Sequence, residues 1–277
     1  MRILAAQTAL KDMATPYEGH DLQGLCSRVD TGQGEAIHVF GACSSTLDVA
    51  WELIQSGTFA IWDSVVASSQ WAGRGQTRRR WLSPAGNLYA AWRWPVPPQA
   101  WNTLVPLMVG WGIRDFFHRL GIELRIKWPN DLLLEGRKVG GILVEERKGA
   151  LVVGVGLNVT WSPDPGEMRA ESSITAGNLS GLLSDANSLE LWAQLVSRVR
   201  FWYEKTLASC TPAEFVSLLE PCLAFMYHHV QVVSGDGRHL ARVIGLQEDG
   251  GLVLDRQGQR DILYSGSILP LDEGQPL

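Results

Sequence analysis

The stretch "WAGRGQTRRRW" (residues 71–81) sets Arg74, Arg78, Arg79 and Arg80 beside Gly73 and Gly75, with a tryptophan at each end. Glycines let backbone N–H groups approach a ligand closely, and a run of such amides makes an anion-binding concavity. Arginine adds a planar fork that matches phosphate or carboxylate. The combination suits a nucleotide phosphate that arrives and leaves; taken alone, it also fits a solvated basic turn. Further along, "KWPND" (127–131) and "RKVGGILVE" (137–145) place Lys127, Asp131 and Lys138 at the ends of neighbouring predicted strands. Gly140 and Gly141 offer backbone on which a ligand can lie flat. "GVGLNV" (154–159) adds a second close-approach strand that ends near Asn158. Each of these has a plain structural reading as well: strand-end packing, a surface lysine, a bulge. Their order and spacing together ask for more.

Composition narrows the target. The 277 residues are 45% hydrophobic and 19% charged, with a formal net charge of -5. An acidic chain offers no broad basic face to nucleic acid, so the loop's charge addresses a local anion. No apolar run approaches the roughly 18 residues of a membrane span. Lys11 and Asp12 interrupt the N-terminal apolar piece before a signal-peptide core forms. Cys26, Cys43, Cys210 and Cys222 make no C-x-x-C pair, which indicates neither a zinc site nor a disulfide framework. A soluble cytoplasmic protein with reduced thiols is the expectation.

The elements that must position these residues follow from periodicity. Residues 1–35 carry weak patterning and read as an N-terminal arm. "EAIHVFGACSSTLDVAWELIQSG" reads as a strand, a Ser45 or Thr46 cap, and a helix with Asp48 in its first turn, ended by Gly57. "FAIWDSVVASSQ" enters the arginine loop as a strand, and "GNLYAAWRWPV" leaves it as another. Residues 99–121 have helical spacing. A meander of antiparallel strands follows, with hairpin turns at Glu135-Gly136 and Lys148-Gly149. Residues 188–226 look helical, and from 228 short strands between Gly/Asp turns have the grammar of a small barrel. The predicted division is therefore 1–35, 36–227 and 228–277.

In these motifs the chain resembles the biotin protein ligase family. The carriers are "SST" (44–46), "QWAGRGQTRRRW" (70–81), "SPAGNLY", "KWPND", "RKVGGILVE" and "GVGLNV", in the family's order and spacing from about Ser44 to Asn158. The resemblance implies an α/β (α+β) fold: a catalytic domain like that of class II aminoacyl-tRNA synthetases, with a mixed sheet flanked by helices, and a C-terminal SH3-like barrel. It implies that biotin attacks the α-phosphate of ATP to give biotinyl-5′-AMP, and that a lysine of a carboxylase biotin carrier domain then takes the biotinyl group. Magnesium is the implied metal. By resemblance Lys138, Arg74 and Asp131 are catalytic. Ser45, Thr46, Gln70, Gly73, Arg74, Lys138, Gly140 and Gly141 border biotin. Arg74, Gly75, Arg79, Trp81, Asn130, Lys138 and Asn158 border the nucleotide. Trp81 would close over the adenylate, and Asn130 with Asp131 would help hold magnesium and orient or deprotonate the incoming lysine. Some relatives carry an N-terminal DNA-binding domain; the short lead-in here points to a ligase that does not bind DNA. The family occurs as monomers and dimers, which leaves a homodimer open.

The loop departs from the family's G-R-G-R-x-G-R-x-W. Gln76 stands for an arginine and Arg78 for a glycine, Leu47 replaces the asparagine of "S-T-N", and Trp71 is bulkier than usual. Three readings compete: an active biotin ligase with a retuned loop, a non-catalytic biotin- or nucleotide-binding relative, and a ligase for another acyl group such as lipoate. Retained Lys138, Arg74 and Asp131 favour the first. The lipoate-ligase glycine signature is absent, which ranks the third last.

Overall fold

The computed structural model describes residues 27–30, 35–167, 174–183, 188–235 and 237–271. In chain order the strands of the first half are β1 (Ser27–Asp30), β2 (Ala36–Cys43), β3 (Ser64–Gln70), β4 (Leu88–Trp94), β5 (Arg125–Lys127), β6 (Asp131–Leu134), β7 (Arg137–Arg147) and β8 (Ala150–Leu157). The helices are α1 (Thr46–Gln55), α2 (Val105–Arg119), α3 (Ser188–Ser209) and α4 (Pro212–Leu219). The chain divides into two compact units. One comprises Met1–Val96, Gly140–Ser162 and Asn178–Arg200; the other comprises Pro97–Val139, Pro163–Gly177 and Phe201–Leu277.

In the first unit the strand order is β1-β2-β3-β4-β8-β7. Only β2 and β3 run parallel among these neighbours, as a pair joined through a helix must. That helix is α1. Of the two predicted caps, Ser45 is the one used: its backbone is extended and its hydroxyl accepts from the Leu47 N–H at 3.3 Å. Leu47, Val49, Ala50, Trp51 and Leu53 form the buried stripe of α1, packed on Phe40, Val65, Ala91 and Val152 of the sheet. Burial of Leu47, Val49 or Leu53 contributes about 2 kcal/mol each by leaving water. On β4, the period of two puts Trp92 and Trp94 together, edge to face at 4.8 Å. Trp192 of α3 closes on Trp92 at 5.3 Å, and its indole N–H donates to Ser64 Oγ at 2.8 Å. Cys43 belongs to this packing; burial, with Asp48 adding to it, pushes its thiol up to about 12. Cys43, Cys210 and Cys222 are free thiols. Residues 1–26 and 31–34 of the predicted arm lie outside the described residues, whereas Ser27–Asp30 forms β1 and pairs antiparallel with β2.

In the second unit a 3₁₀ turn over Gln99–Leu104 runs into α2, and Gly121 follows with φ +79. The β5–β6 hairpin is antiparallel, and the Trp128–Pro129 peptide between its strands is cis. Strand order continues β5-β6-β7. The predicted turns are both present, with positive φ at both central residues: 49 and 78 at Glu135-Gly136, 50 and 74 at Lys148-Gly149. The expected helical run over 188–226 is interrupted at Cys210. Thr211 starts α4 through a reciprocal capping box with Glu214. Then come β9 (His229–Ser234), β10 (Gly237–Leu246), β11 (Leu252–Arg256), β12 (Gln259–Leu263) and β13 (Ser267–Pro270). They form an antiparallel sheet ordered β12-β11-β10-β9-β13. Trp128 Nε1 donates to Gly250 O at 2.9 Å, and a side chain at Gly250 would meet Leu104 at 3.0 Å. Between Cys222 and His229 the chain passes from helical turns to strands, next to the predicted change at residue 228. No helix among the described residues is long and apolar enough to cross a membrane.

Candidate active site

The first unit gathers most of the predicted ligand-facing residues. Where β3 ends, Gln70 spans two neighbours: its Oε1 accepts from the Thr46 N–H at 2.8 Å and from Thr46 Oγ1 at 3.2 Å, and its Nε2 donates to Ser83 Oγ at 2.9 Å. Thr46 and Gln70 therefore share one polar corner at the start of α1. Ser45 lies apart from this exchange, 2% exposed, its hydroxyl engaged by its own helix. Gly73 follows in the only form that fits, because a Cβ there would stand 2.6 Å from both Ser83 Oγ and Trp81 O.

The arginine stretch folds back on itself as a short hairpin. Arg74 and Arg80 form an antiparallel bridge, and the Gly75 N–H donates to Arg79 O at 2.7 Å. Its tip is a 3₁₀ turn over Gln76–Arg78, in which Thr77 adopts a left-handed φ of 53, a conformation costly for a β-branched residue. The family's glycine at 78 is gone, and the left-handed position falls on Thr77. Gln76, Arg79 and Arg80 are exposed. Trp81 lies on β8: a Cβ at Gly156 would be 2.7 Å from Trp81 Cε2. Close approach at this glycine therefore serves the tryptophan. Gly156 pairs with Gly141 and Leu157 with Gly140, so the two glycine runs are neighbours in the sheet. Leu47, where the family has asparagine, is 3% exposed and packs against Gly154. The polar group is replaced by core packing, not displaced. Asn158 is 3% exposed with its Oδ1 facing Asn87 Nδ2 at 3.4 Å.

Arg74 has two partners that the sequence reading missed. Its Nη1 pairs with Asp48 Oδ1 at 2.8 Å and its Nε donates to Glu145 Oε1 at 3.2 Å. Burial works against the charge on Arg74, but Asp48 and then Glu145 more than offset it and hold the guanidinium protonated. Burial also raises the Glu145 carboxyl; the Trp51 indole, Arg74 and Arg147 together outweigh it and hold that carboxyl below the usual range.

The second unit holds a separate charged cluster. Asp131 Oδ1 pairs with Lys138 Nζ at 2.6 Å and Oδ2 with Lys127 Nζ at 3.0 Å. Lys127 is 5% exposed, and its ammonium also reaches Ser267 Oγ at 3.5 Å. Burial pushes the Asp131 carboxyl up, but Lys138 and Lys127 overcome this and keep it below its ordinary value. Lys138 is not the free strand-end lysine that spacing suggests. Its N–H donates to Thr175 O at 2.8 Å, and its C=O accepts from Gly177 N at 2.9 Å. Asn130 is half-buried in the turn between β5 and β6. Lys127 and Asp131 are Cα partners across the β5–β6 hairpin, which brings together the residues that the sequence places at neighbouring strand ends.

Magnesium does not fit Asp131. Both carboxylate oxygens face ammonium groups, so a divalent cation there would meet two positive charges. Among the described residues no three His, Cys, Asp or Glu side chains converge as a metal site.

The chain is similar to known proteins in both sequence and fold. The model of the biotin/lipoate A/B protein ligase family matches residues 39–161. The chain is 31% identical over 260 residues to the bifunctional ligase/repressor BirA of Escherichia coli, covering 88% of this chain and 78% of that protein. It is 38% identical over 218 residues to the biotin–[acetyl-CoA-carboxylase] ligase of Mycobacterium tuberculosis, covering 75% and 78%. The biotin protein ligase of Aquifex aeolicus, solved with biotin and ATP, has the same fold: TM-score 0.71 at 24% identity, over 84% of this chain and 97% of that one. With relatives this similar over most of their length, the chain belongs to the biotin/lipoate A/B protein ligase family.

Proposed function

We propose that this protein is a biotin protein ligase: it activates biotin with ATP to biotinyl-5′-AMP and transfers the biotinyl group to a lysine of a carboxylase biotin carrier domain. The observation that carries the reading is the likeness to curated biotin ligases over most of the chain. The charged clusters support it. Joining a carboxylate to a nucleotide phosphate needs oriented positive charge aimed at the charge that develops. Arg74 supplies it on the loop, and Lys138 supplies it from β7. Asp131, held ionised, keeps Lys138 in place and orients the incoming lysine. Thr46 and Gln70 present polar groups suited to a ureido ring. We further assign the larger sheet with its helices to a class II synthetase-like catalytic domain, the β9–β13 sheet to an SH3-like barrel, and the protein to the cytoplasm.

Pyrophosphate release tests the reading. It is expected with biotin and ATP, and not when lipoate or octanoate replaces biotin. No release with biotin would leave a non-catalytic binding relative; release with lipoate would mean another acyl substrate.

Two results are expected of the loop. Its like charges, Arg79 and Arg80 on an exposed hairpin, repel until an anion arrives. Tryptic nicking after these residues should be slowed at least tenfold by biotin plus ATP. Equal nicking rates would mean that the loop does not order on the adenylate. The second result concerns Gln76, whose amide bonds an anion more weakly than a guanidinium does. Gln76→Arg should slow release of biotinyl-5′-AMP by about tenfold and reduce stray labelling of an unrelated protein. Unchanged release would show that no guanidinium is wanting at this position.

A further inference from the structure

We propose that Asp48 and Glu145 are positioning residues that fix the Arg74 guanidinium for the anion of the activated substrate. The proposal rests on the ligase reading and deepens it. Arg74 sits on an exposed hairpin, and a free arginine side chain must give up rotamer entropy to present its fork in one orientation. Here two other elements settle that orientation beforehand. Asp48, in the first turn of α1, takes Nη1 at 2.8 Å; Glu145, on β7, takes Nε at 3.2 Å.

Both carboxylates are themselves anchored. Asp48 Oδ2 accepts from Ser44 Oγ at 3.0 Å. Glu145 Oε2 accepts from Trp51 Nε1 at 2.8 Å and from Arg147 Nη2 at 2.7 Å. The Arg147 guanidinium in turn lies 4.7 Å from the centre of the Trp51 ring. The anchors come from α1 and β7, away from the hairpin tip, so the clamp does not depend on the conformation of residues 76–78. A guanidinium has five N–H donors. The clamp engages one on Nε and one on Nη1, which leaves Nη2 to meet an anion. A pre-placed donor costs no reorganisation when charge develops on the phosphate.

The opposite reading is that the two carboxylates compete with the substrate's anion and hold Arg74 back. The two readings predict opposite signs. Under positioning, the isosteric changes Asp48→Asn and Glu145→Gln loosen Arg74, and added biotinyl-5′-AMP dissociates roughly tenfold faster. Under competition it dissociates more slowly.

The experiment measures dissociation of added biotinyl-5′-AMP from wild type, from each single variant, and from each variant combined with Arg74→Ala, with melting temperatures alongside. Expected are faster dissociation in both single variants and no further change in the Arg74→Ala background, because a residue acting through Arg74 has nothing left to act on. Slower or unchanged dissociation overturns the proposal. So does a full additional loss in the Arg74→Ala background, the mark of a general structural role. Asp48 and Glu145 sit on different elements, so if one variant fails to fold the other still decides. If wild type itself fails to bind biotinyl-5′-AMP, the ligase reading falls, not this assignment alone.

Discussion

Lys138→Ala is expected to lower biotinyl-5′-AMP formation about a hundredfold while the fold persists. A positive charge placed where charge develops on the α-phosphate is worth about 3 kcal/mol of transition-state stabilisation, which is two orders of magnitude in rate. Its removal leaves Asp131 still paired with Lys127 at 3.0 Å, so no buried charge is orphaned. The variant should therefore melt within a few degrees of wild type. Pyrophosphate release measures the first effect and circular dichroism the second. Near-normal pyrophosphate release from a folded variant would remove Lys138 from the chemistry.

Asp131→Ala should do the reverse damage as well. It removes the carboxylate that pairs with Lys127, which has 6% side-chain exposure. Breaking a buried pair by removing one partner costs about 3 kcal/mol or more, and for a chain of this size that lowers the melting temperature by on the order of 10 °C. A loss of activity without a loss of stability would mean that the carboxylate is not what balances the two lysines. The same pair predicts a pH dependence. The Asp131 carboxyl is held below its ordinary value in the folded state. Its contribution is therefore fully present above the unfolded carboxyl pKa of about 4 and is lost as pH falls through the lower folded value. Between neutral pH and about 5 the stability should not respond to this group; below about 4 it should fall, and less so in Asp131→Ala.

Much of the frame can be read from local chemistry. Glu135-Gly136 and Lys148-Gly149 are turns because short loops between strands need two left-handed residues. Ser45 is a cap because a hydroxyl before an apolar stripe satisfies a free N–H. Thr211-Pro-Ala-Glu214 carries a capping box that marks the break in the 188–226 helical run, yet apolar residues on both sides hide it from a reading by periodicity alone. The lysine–aspartate cluster is legible because its residues sit in two adjacent motifs. Lys127, Asp131 and Lys138 lie close in sequence and do meet. Arg74 was read as awaiting a ligand's anion because its counter-charges, Asp48 and Glu145, lie far along the chain on other elements, and pairing across a fold leaves no spacing signal. Leu47 stands where the family has a polar residue, and its side chain packs against Gly154 across the sheet, a contact that no spacing in the sequence signals.

Transfer to protein is the most direct test of the account. The 277-residue chain is incubated with ATP, biotin and a carboxylase biotin carrier domain, and the carrier is weighed by mass spectrometry. The account predicts a gain of one biotinyl group on a single lysine, dependent on ATP and nearly abolished in Lys138→Ala. A carrier of unchanged mass, with pyrophosphate released or not, would contradict it.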